Sequence, residues 1–483
     1  MTQHDIEQLL AVNVALTAER DKEKFLSMVL DAAMAAARCD GGTLYLLENG
    51  VLRFARMTTL SIGVRQGGHD DPIALPPVPM DPRYVCAWAV INRKPVNIPD
   101  VRKTDTYDFS GTEKYDRMTG YRTESMLVIP MTGDKGGTIG VLQLINALDG
   151  GRTVPFSGAI ERPVSALASL AAACIQNMRY AEQVNALLDS LVDAMTAAID
   201  ARTSYNANHS RNMALCAGHF LDRAGSEDPA WNWTADHRRA FLLSVRLHDA
   251  GKLVTPLSVM DKKTRLEEKM SRIEERFRRM DLLDRISFLE GRITEEQRRE
   301  RAGTRGAALD RIRRMNSPGV LSADDIQWVE DLARQTFRDE NGAEEAVLTR
   351  EEAECLRIQR GTLTAGERRI MEGHVKETSR ILDRVSFPQE YREIPFWAAA
   401  HHEFLDGTGY PDHLTAERIP AEVRLMTILD IFDSLVASDR PYKKPLTPEG
   451  ALGILKQMAE QGKLDGGLLK LFEETRAWEA VYD

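Results

Sequence analysis

The chain has 483 residues, 43% of them apolar and 28% charged, with a formal net charge of −10. That length exceeds one ordinary core and suggests about three units at ~150 residues each. The composition reads as soluble and globular, and the acidic balance argues against a general nucleic-acid binder. Cys39, Cys86, Cys174, Cys216 and Cys355 form no CxxC pair, so neither a disulfide framework nor a thiolate zinc site is expected, and a reducing compartment suits them. The first 20 residues lack a signal-peptide core, and the apolar run "ALASLAAACI" is half the ~20 residues that a membrane span needs. A cytoplasmic protein without membrane attachment is the expectation.

Residues 1–160 read as α+β. A helical pattern, "EKFLSMVLDAAMAAARC", precedes strand-like pieces, and "ENG" between two apolar runs signals a hairpin. A long helix follows over about 158–202, so residues 161–202 are read as a linker. Leu170, Cys174, Asn177, Ala181, Val184, Leu188, Leu191, Met195 and Ala198 step by fours and threes along it, as in a coiled-coil seam. The seam fits either packing on the chain's own domains or a parallel homodimer. Residues 203–483 show helical patterns and loops only. Within them 262–345 is dense in Arg, Glu and Lys, and the spacing of Met270, Ile273, Phe277, Met280 and Leu283 predicts an amphipathic helix.

Five histidines stand where a metal site would choose them. His209 shares a helix face with Met213 and Cys216. His248 and Asp249 close the apolar stretch "RAFLLSVRL", and Gly251 is expected to end that helix, with Lys252 beyond it. Thr364 and Glu367 form a capping box, which places Ile370, His374 and Ile381 on one inward stripe. His401 and His402 follow a run of alanines. Asp430 is flanked by Ile428, Leu429, Ile431 and Phe432. Any one of these could be a satisfied core residue or half of a salt bridge. Together, buried imidazoles and carboxylates on separate helices need charge to satisfy them, and a pair of divalent cations supplies it. Nitrogen and oxygen donors suit iron, manganese, zinc or cobalt.

The order His209, "HDAGK", His374, "HHEFLDGTGYP" and "DIFDSLVASDRPYKK" resembles the HD-GYP family, bacterial phosphodiesterases that hydrolyse cyclic di-GMP. The resemblance covers about 200–460. It implies an all-α bundle and two divalent ions, iron or manganese foremost. His209, His248, Asp249 and Asp430 would hold one ion; His374, His401 and His402 would hold the other, with Asp249 bridging. Lys252 would touch the scissile phosphate, and Arg440 and Lys443 would hold ligand phosphates. The loop with Gly407, Gly409, Tyr410 and Pro411 would line the substrate pocket, its glycines admitting a phosphate, and Glu403 would orient a ligand. Members with a third metal carry a glutamate where this chain has Tyr205, so two ions are implied. The implied reaction is hydrolysis of cyclic di-GMP to linear pGpG or GMP. A nucleotide-binding receptor or scaffold, or a hydrolase of another cyclic dinucleotide, are the competing readings. The 125 residues from Asp249 to His374 exceed those of compact members, so 262–345 is read as a helical insertion.

"GYRTESMLVIPM" and "GTIGVLQLIN" resemble a GAF domain of the cyclic-nucleotide phosphodiesterase kind. Of that group's five-residue signature Asn146, Phe156 and Glu161 fit, whereas Ala147 and Ile160 replace the charged lysine and aspartate. Loss of both charges together is an apolar replacement of an ion pair. The resemblance implies a sensor with a small-molecule pocket or a purely structural module.

Overall fold

The computed structural model describes residues 19, 21–68, 70–133, 136–202, 208–437 and 445–482. Its contacts divide the chain into two units, Met1–Leu188 and Asp189–Asp483.

The first unit opens with α1 (Lys22–Ala37), capped by Asp21 and burying Phe25, Leu26, Val29 and Leu30. An eight-stranded antiparallel sheet follows. Its strands are β1 (Cys39–Glu48), β2 (Val51–Thr59), β3 (Val64–Gln66), β4 (Val78–Pro79), β5 (Val96–Ile98), β6 (Met126–Thr132), β7 (Thr138–Asp149) and β8 (Arg152–Val154). The order is β3-β2-β1-β7-β6-β5, with β4 added to β2 and β8 to β7. Asn49 and Gly50, both at positive φ, make the β1–β2 turn that "ENG" signals. One face of the sheet packs on α1 and the start of α4 (Gly158–Asp200) through Leu44, Leu142, Leu144, Val164, Leu167 and Ala171. Ala147 and Ile160 join that apolar cluster. The other face carries α2 (Val85–Asn92) and α3 (Ser110–Thr119) and holds a cavity of about 330 Å³ lined by Tyr45, Phe54, Tyr84, Phe109, Tyr115 and Gln143.

α4 is 43 residues long. It is long and apolar enough in one window to cross a membrane by length and composition. Its apolar start nevertheless lies in the first unit's core. Tyr180, Val184, Leu187 and Leu191 are exposed along it. That stripe shares Val184 and Leu191 with the expected seam but runs through Tyr180 and Leu187 in place of Ala181 and Leu188. Leu170 and Cys174, also assigned to the seam, pack partly against the first unit.

The second unit is a helical bundle. Its elements are α5 (His209–Glu227), α6 (Ala235–Leu247), α7 (Leu257–Met260), α8 (Lys269–Leu289), α9 (Glu295–Asn316), α10 (Ala323–Ala333), β9 (Thr336–Arg338), β10 (Glu344–Ala346), α11 (Arg350–Leu356), α12 (Ala365–Glu372), α13 (His374–Leu382), α14 (Ile394–Ala399), α15 (Ala421–Val436), α16 (Pro448–Glu460), α17 (Gly466–Thr475) and α18 (Glu479–Tyr482). α5, α6, α13, α14 and α15 surround the histidines. The segment α8–α11 has an apolar core of its own, built by Ile273, Phe277, Ile312, Met315, Val329, Leu332 and Leu356. That core reaches beyond residue 345, the expected end of the insertion. It also includes an antiparallel β9–β10 hairpin where only helices were expected. Arg265, fully buried, pins the segment's entrance by donating to the carbonyls of Met315, Ser317, Gly319 and Ile358.

Candidate metal centre

The helices bring all seven expected ligands together. His209 is the first residue of α5, His248 and Asp249 follow α6, His374 starts α13, His401 and His402 follow α14, and Asp430 lies within α15. Three groups have donor atoms close enough to share an ion: His209 with His248 and Asp430, His374 with His401 and His402, and His248 with Asp249 and His401. Six of the seven are buried, and His402 is half-buried.

Local chemistry aims the rings. His248, His374 and His401 each hold Nδ1 against a carbonyl three residues earlier, those of Val245, Met371 and Ala398, at 2.7, 2.7 and 2.6 Å. A carbonyl only accepts, so Nδ1 carries the proton and Nε2 is left as a lone pair facing inward. His209 Nε2 lies 3.2 Å from His248 Nε2 and 3.1 Å from Asp430 Oδ1. Two donors each ~2.1 Å from one ion stand about 3.0–3.4 Å apart, so these spacings fit a shared cation.

Both carboxylates face both halves of the site. Asp249 Oδ2 is 3.3 Å from His248 Nε2, and its Oδ1 is 3.5 Å from His374 Nε2. Asp430 Oδ1 meets His209 at 3.1 Å, and its Oδ2 lies 3.6 Å from His402 Nδ1. The sequence reading gave Asp430 to one half only.

Asp249 Oδ1, His374 Nε2 and His401 Nε2 are buried without any hydrogen-bond partner. Orphaned buried polar atoms are costly. All three belong to residues of the close donor groups, and a cation held there would satisfy them. Burial also holds the imidazole of His374 below its ordinary range, that of His401 well below it, and pushes His402 down to about 4. These rings are therefore neutral near pH 7, the form that ligates. Burial opposes charge on Asp249, but His248, Lys252 and His374 together hold its carboxyl well below the usual carboxylate range.

Several expected roles change. The helix before His248 ends at Leu247, not at Gly251. Gly251 lies in a 3-10 turn pressed on α13, where a Cβ would overlap the carbonyl oxygen of His374 and sit 2.7 Å from Thr378 N. Its backbone N–H donates to Thr378 Oγ1 at 2.8 Å, which in turn donates to the carbonyl of His248 at 2.9 Å. Ile370 is 48% exposed, because the helix breaks between α12 and α13 at Gly373 and the inward stripe does not run through. Glu403 is 2% exposed and orients no histidine; its two oxygens accept from the N–H groups of Asp412 and Leu414 at 2.6 and 2.9 Å. Glu403 thus holds the far end of the 407–411 loop. A Cβ on Gly409 would come within 2.5 Å of Glu403 Cα and 2.6 Å of His402 O, so this glycine serves the loop's own folding rather than a phosphate's approach. Gly407 takes the left-handed conformation at φ 75°. The Tyr410 ring lies over His402 at a centroid distance of 4.8 Å, followed by Pro411 in the same loop. Lys252 Nζ is 2.5 Å from Asp249 Oδ2. Arg440, Lys443 and Tyr205 lie outside the described residues.

The sequence reading missed Asp433, one turn after Asp430 in "DIFDSL". It meets His209 Nδ1 at 2.6 Å. A second carboxylate at i+3 on a buried helix face was the available signal.

Residues 21–175 match the GAF domain family, and residues 351–468 match the HD domain family. The chain therefore carries a GAF domain and an HD domain. The HD match includes His374, His401, His402 and Asp430, while His209, His248 and Asp249 precede it.

Curated relatives match shorter stretches of the chain. A stretch of 97 residues is 37% identical to 3'3'-cGAMP-specific phosphodiesterase 3 of Vibrio cholerae, covering 20% of each chain. A stretch of 109 residues is 38% identical to the cyclic di-GMP phosphodiesterase response regulator RpfG of Xanthomonas campestris pv. campestris, covering 22% of this chain and 27% of that protein. A stretch of 105 residues is 42% identical to 3'3'-cGAMP-specific phosphodiesterase 2 of Vibrio cholerae, covering 21% and 19%. The chain thus spans 19–27% of the length of these relatives.

Proposed function

We propose that this chain is a metal-dependent phosphodiesterase that opens a cyclic dinucleotide, with cyclic di-GMP as substrate and linear pGpG or GMP as product. The observation that carries the proposal is the placement of Asp249, whose two oxygens face His248 in one half of the site and His374 in the other. His209, His248, Asp249 and Asp430 would hold one divalent ion, and His374, His401 and His402 the second, iron or manganese in each case. Ions bound there would supply Lewis acidity toward a phosphoryl oxygen and a nucleophilic water at neutral pH.

The protein's own groups do the rest. The Nδ1–H bonds of His248, His374 and His401 keep their rings fixed. Lys252, beside Asp249, offsets phosphate charge, as would Arg440 and Lys443. The 407–411 loop, with Tyr410 over His402, would wall one side of a substrate pocket. The GAF domain would regulate the activity by binding a small molecule in its aromatic cavity. The exposed stripe of α4 supports a homodimer through that helix. The protein would act in the cytoplasm.

The test is a metal count on protein purified without chelator, with cyclic dinucleotides assayed beside Asp249→Ala. About two ions per chain and Asp249-dependent cleavage are expected. Tight nucleotide binding without turnover at any metal loading would replace the enzyme with a receptor. A second substrate reading rests on the relatives named for 3'3'-cGAMP. Cleavage of that dinucleotide in preference to cyclic di-GMP would establish it.

A further inference from the structure

His209 differs from its partners in how its ring is held. His248, His374 and His401 each have a carbonyl three residues earlier to take the Nδ1 proton. His209 is the first residue of α5, so it has no preceding turn of its own helix to supply one. Asp433 stands in that place. Its Oδ2 accepts from His209 Nδ1 at 2.6 Å, and the carboxylate is 3% exposed. The other oxygen, Oδ1, accepts from the Tyr482 hydroxyl, which itself accepts from Asn212 Nδ2 at 3.3 Å. Both oxygens of Asp433 are thus committed away from the metal donors, and it is not part of the donor set. Asn212 lies one turn after His209 on α5, and Tyr482 comes from α18. The chain of bonds therefore closes through three elements.

We propose that Asp433, locked by Tyr482, is a positioning residue that fixes the Nδ1–H tautomer and ring orientation of His209 and so tightens the ion held by His209 and His248. The proposal rests on the metal-centre reading above. A carboxylate behind a ligating imidazole makes the ring a stronger donor than a carbonyl does, and loss of such a partner weakens metal binding by about 10–100-fold. The bond from Tyr482 keeps Asp433 from rotating, so its loss has a smaller effect, about three- to tenfold.

The experiment uses the full chain, stripped of metal and titrated with Mn²⁺ against a competing chelator, in wild type, Asp433→Asn and Tyr482→Phe. Long-range ¹H–¹⁵N NMR of the histidine rings in the metal-free proteins reports whether Nδ1 of His209 carries a proton. Wild type is expected to bind two ions with His209 protonated at Nδ1. Asp433→Asn should keep one ion at wild-type affinity, bind the other about 10–100-fold more weakly, and lose the proton on His209 Nδ1. Tyr482→Phe should fall between them. Wild-type affinity for both ions in Asp433→Asn, or a proton retained on His209 Nδ1 there, would overturn the proposal. Should Asp433→Asn fail to fold by circular dichroism, Tyr482→Phe decides: unchanged affinity there refutes it. Wild type that binds no metal would instead refute the metal-centre reading, and the proton on His209 Nδ1 would still judge Asp433.

Discussion

Lys252 Nζ stands 2.5 Å from Asp249 Oδ2, the same oxygen that faces His248. A lysine here places positive charge at the edge of a donor set that is meant for cations. Lys252 helps keep Asp249 ionised, yet a protonated amine offers an ion no lone pair, so the role expected of it is toward an anionic substrate. Lys252→Met is expected to keep the wild-type metal count while turnover falls about 10²–10³-fold. Elemental analysis beside a cleavage assay checks this, and a variant that loses its ions would show that Lys252 supports the ligands instead.

Gly251 should tolerate no side chain. A Cβ there would overlap the carbonyl oxygen of His374 and lie 2.7 Å from Thr378 N, both of them backbone atoms that cannot swing aside. Gly251→Ala is expected to cost about 3 kcal/mol or more. It should also part Asp249 from His374, lowering metal content. Urea denaturation gives the stability change; an unaltered midpoint would mean that α13 is not pressed on this turn.

Glu403 is expected to separate loop order from metal binding. Its removal in Glu403→Ala leaves two backbone donors, of Asp412 and Leu414, without their acceptor. The stability loss should be about 2 kcal/mol. With Glu403 contacting no ligand, the ions should stay bound while KM for the dinucleotide rises more than kcat falls. Loss of an ion on this substitution would return Glu403 to the donor set's support.

Asp200, near the end of α4, gives a pH signature. Burial, offset in part by His209 and reinforced by Asp249, pushes its carboxyl up from 3.8 to about 6. Between those values the folded chain holds a proton that the unfolded chain has released. Stability from this group therefore falls as pH rises from about 4 to about 6. In metal-free protein Asp200→Asn should raise Tm at pH 7 and leave it nearly unchanged at pH 4. Equal shifts at both pH values would contradict the assignment.

Much of the site is legible because its chemistry sits in residue identity. A histidine pair before "EFLDGTGYP", or a His-Asp before "AGK", carries meaning wherever the helices fall. The α4 helix and the β1–β2 turn are legible because they are local. The functions of Glu403, Gly251 and Asp433 are set by contacts that no local pattern encodes. Gly251 meets Thr378 across 127 positions, and Asp433 meets His209 across 224. The stripe through Ile370 does not run on to His374 because α12 ends at Glu372 and α13 starts afresh at His374. The β9–β10 hairpin was announced by Asn341–Gly342, the same dipeptide that turns β1 into β2; the surrounding charge hid it.

The segment α8–α11 departs from the bundle after Lys262 and returns before Thr364. Lys262 Nζ binds both oxygens of Glu367 at 2.8 and 2.7 Å, and Thr362 Oγ1 donates to the carbonyl of Lys262 at 3.1 Å. Its two ends are thus stapled side by side, like the neck of a purse. A neck that narrow lets the chain lengthen or shorten there without disturbing the spacing of Asp249 and His374. The region is a graft point: cargo of the builder's choosing, spliced between residues 262 and 362, would ride on the bundle with the metal donors left in register.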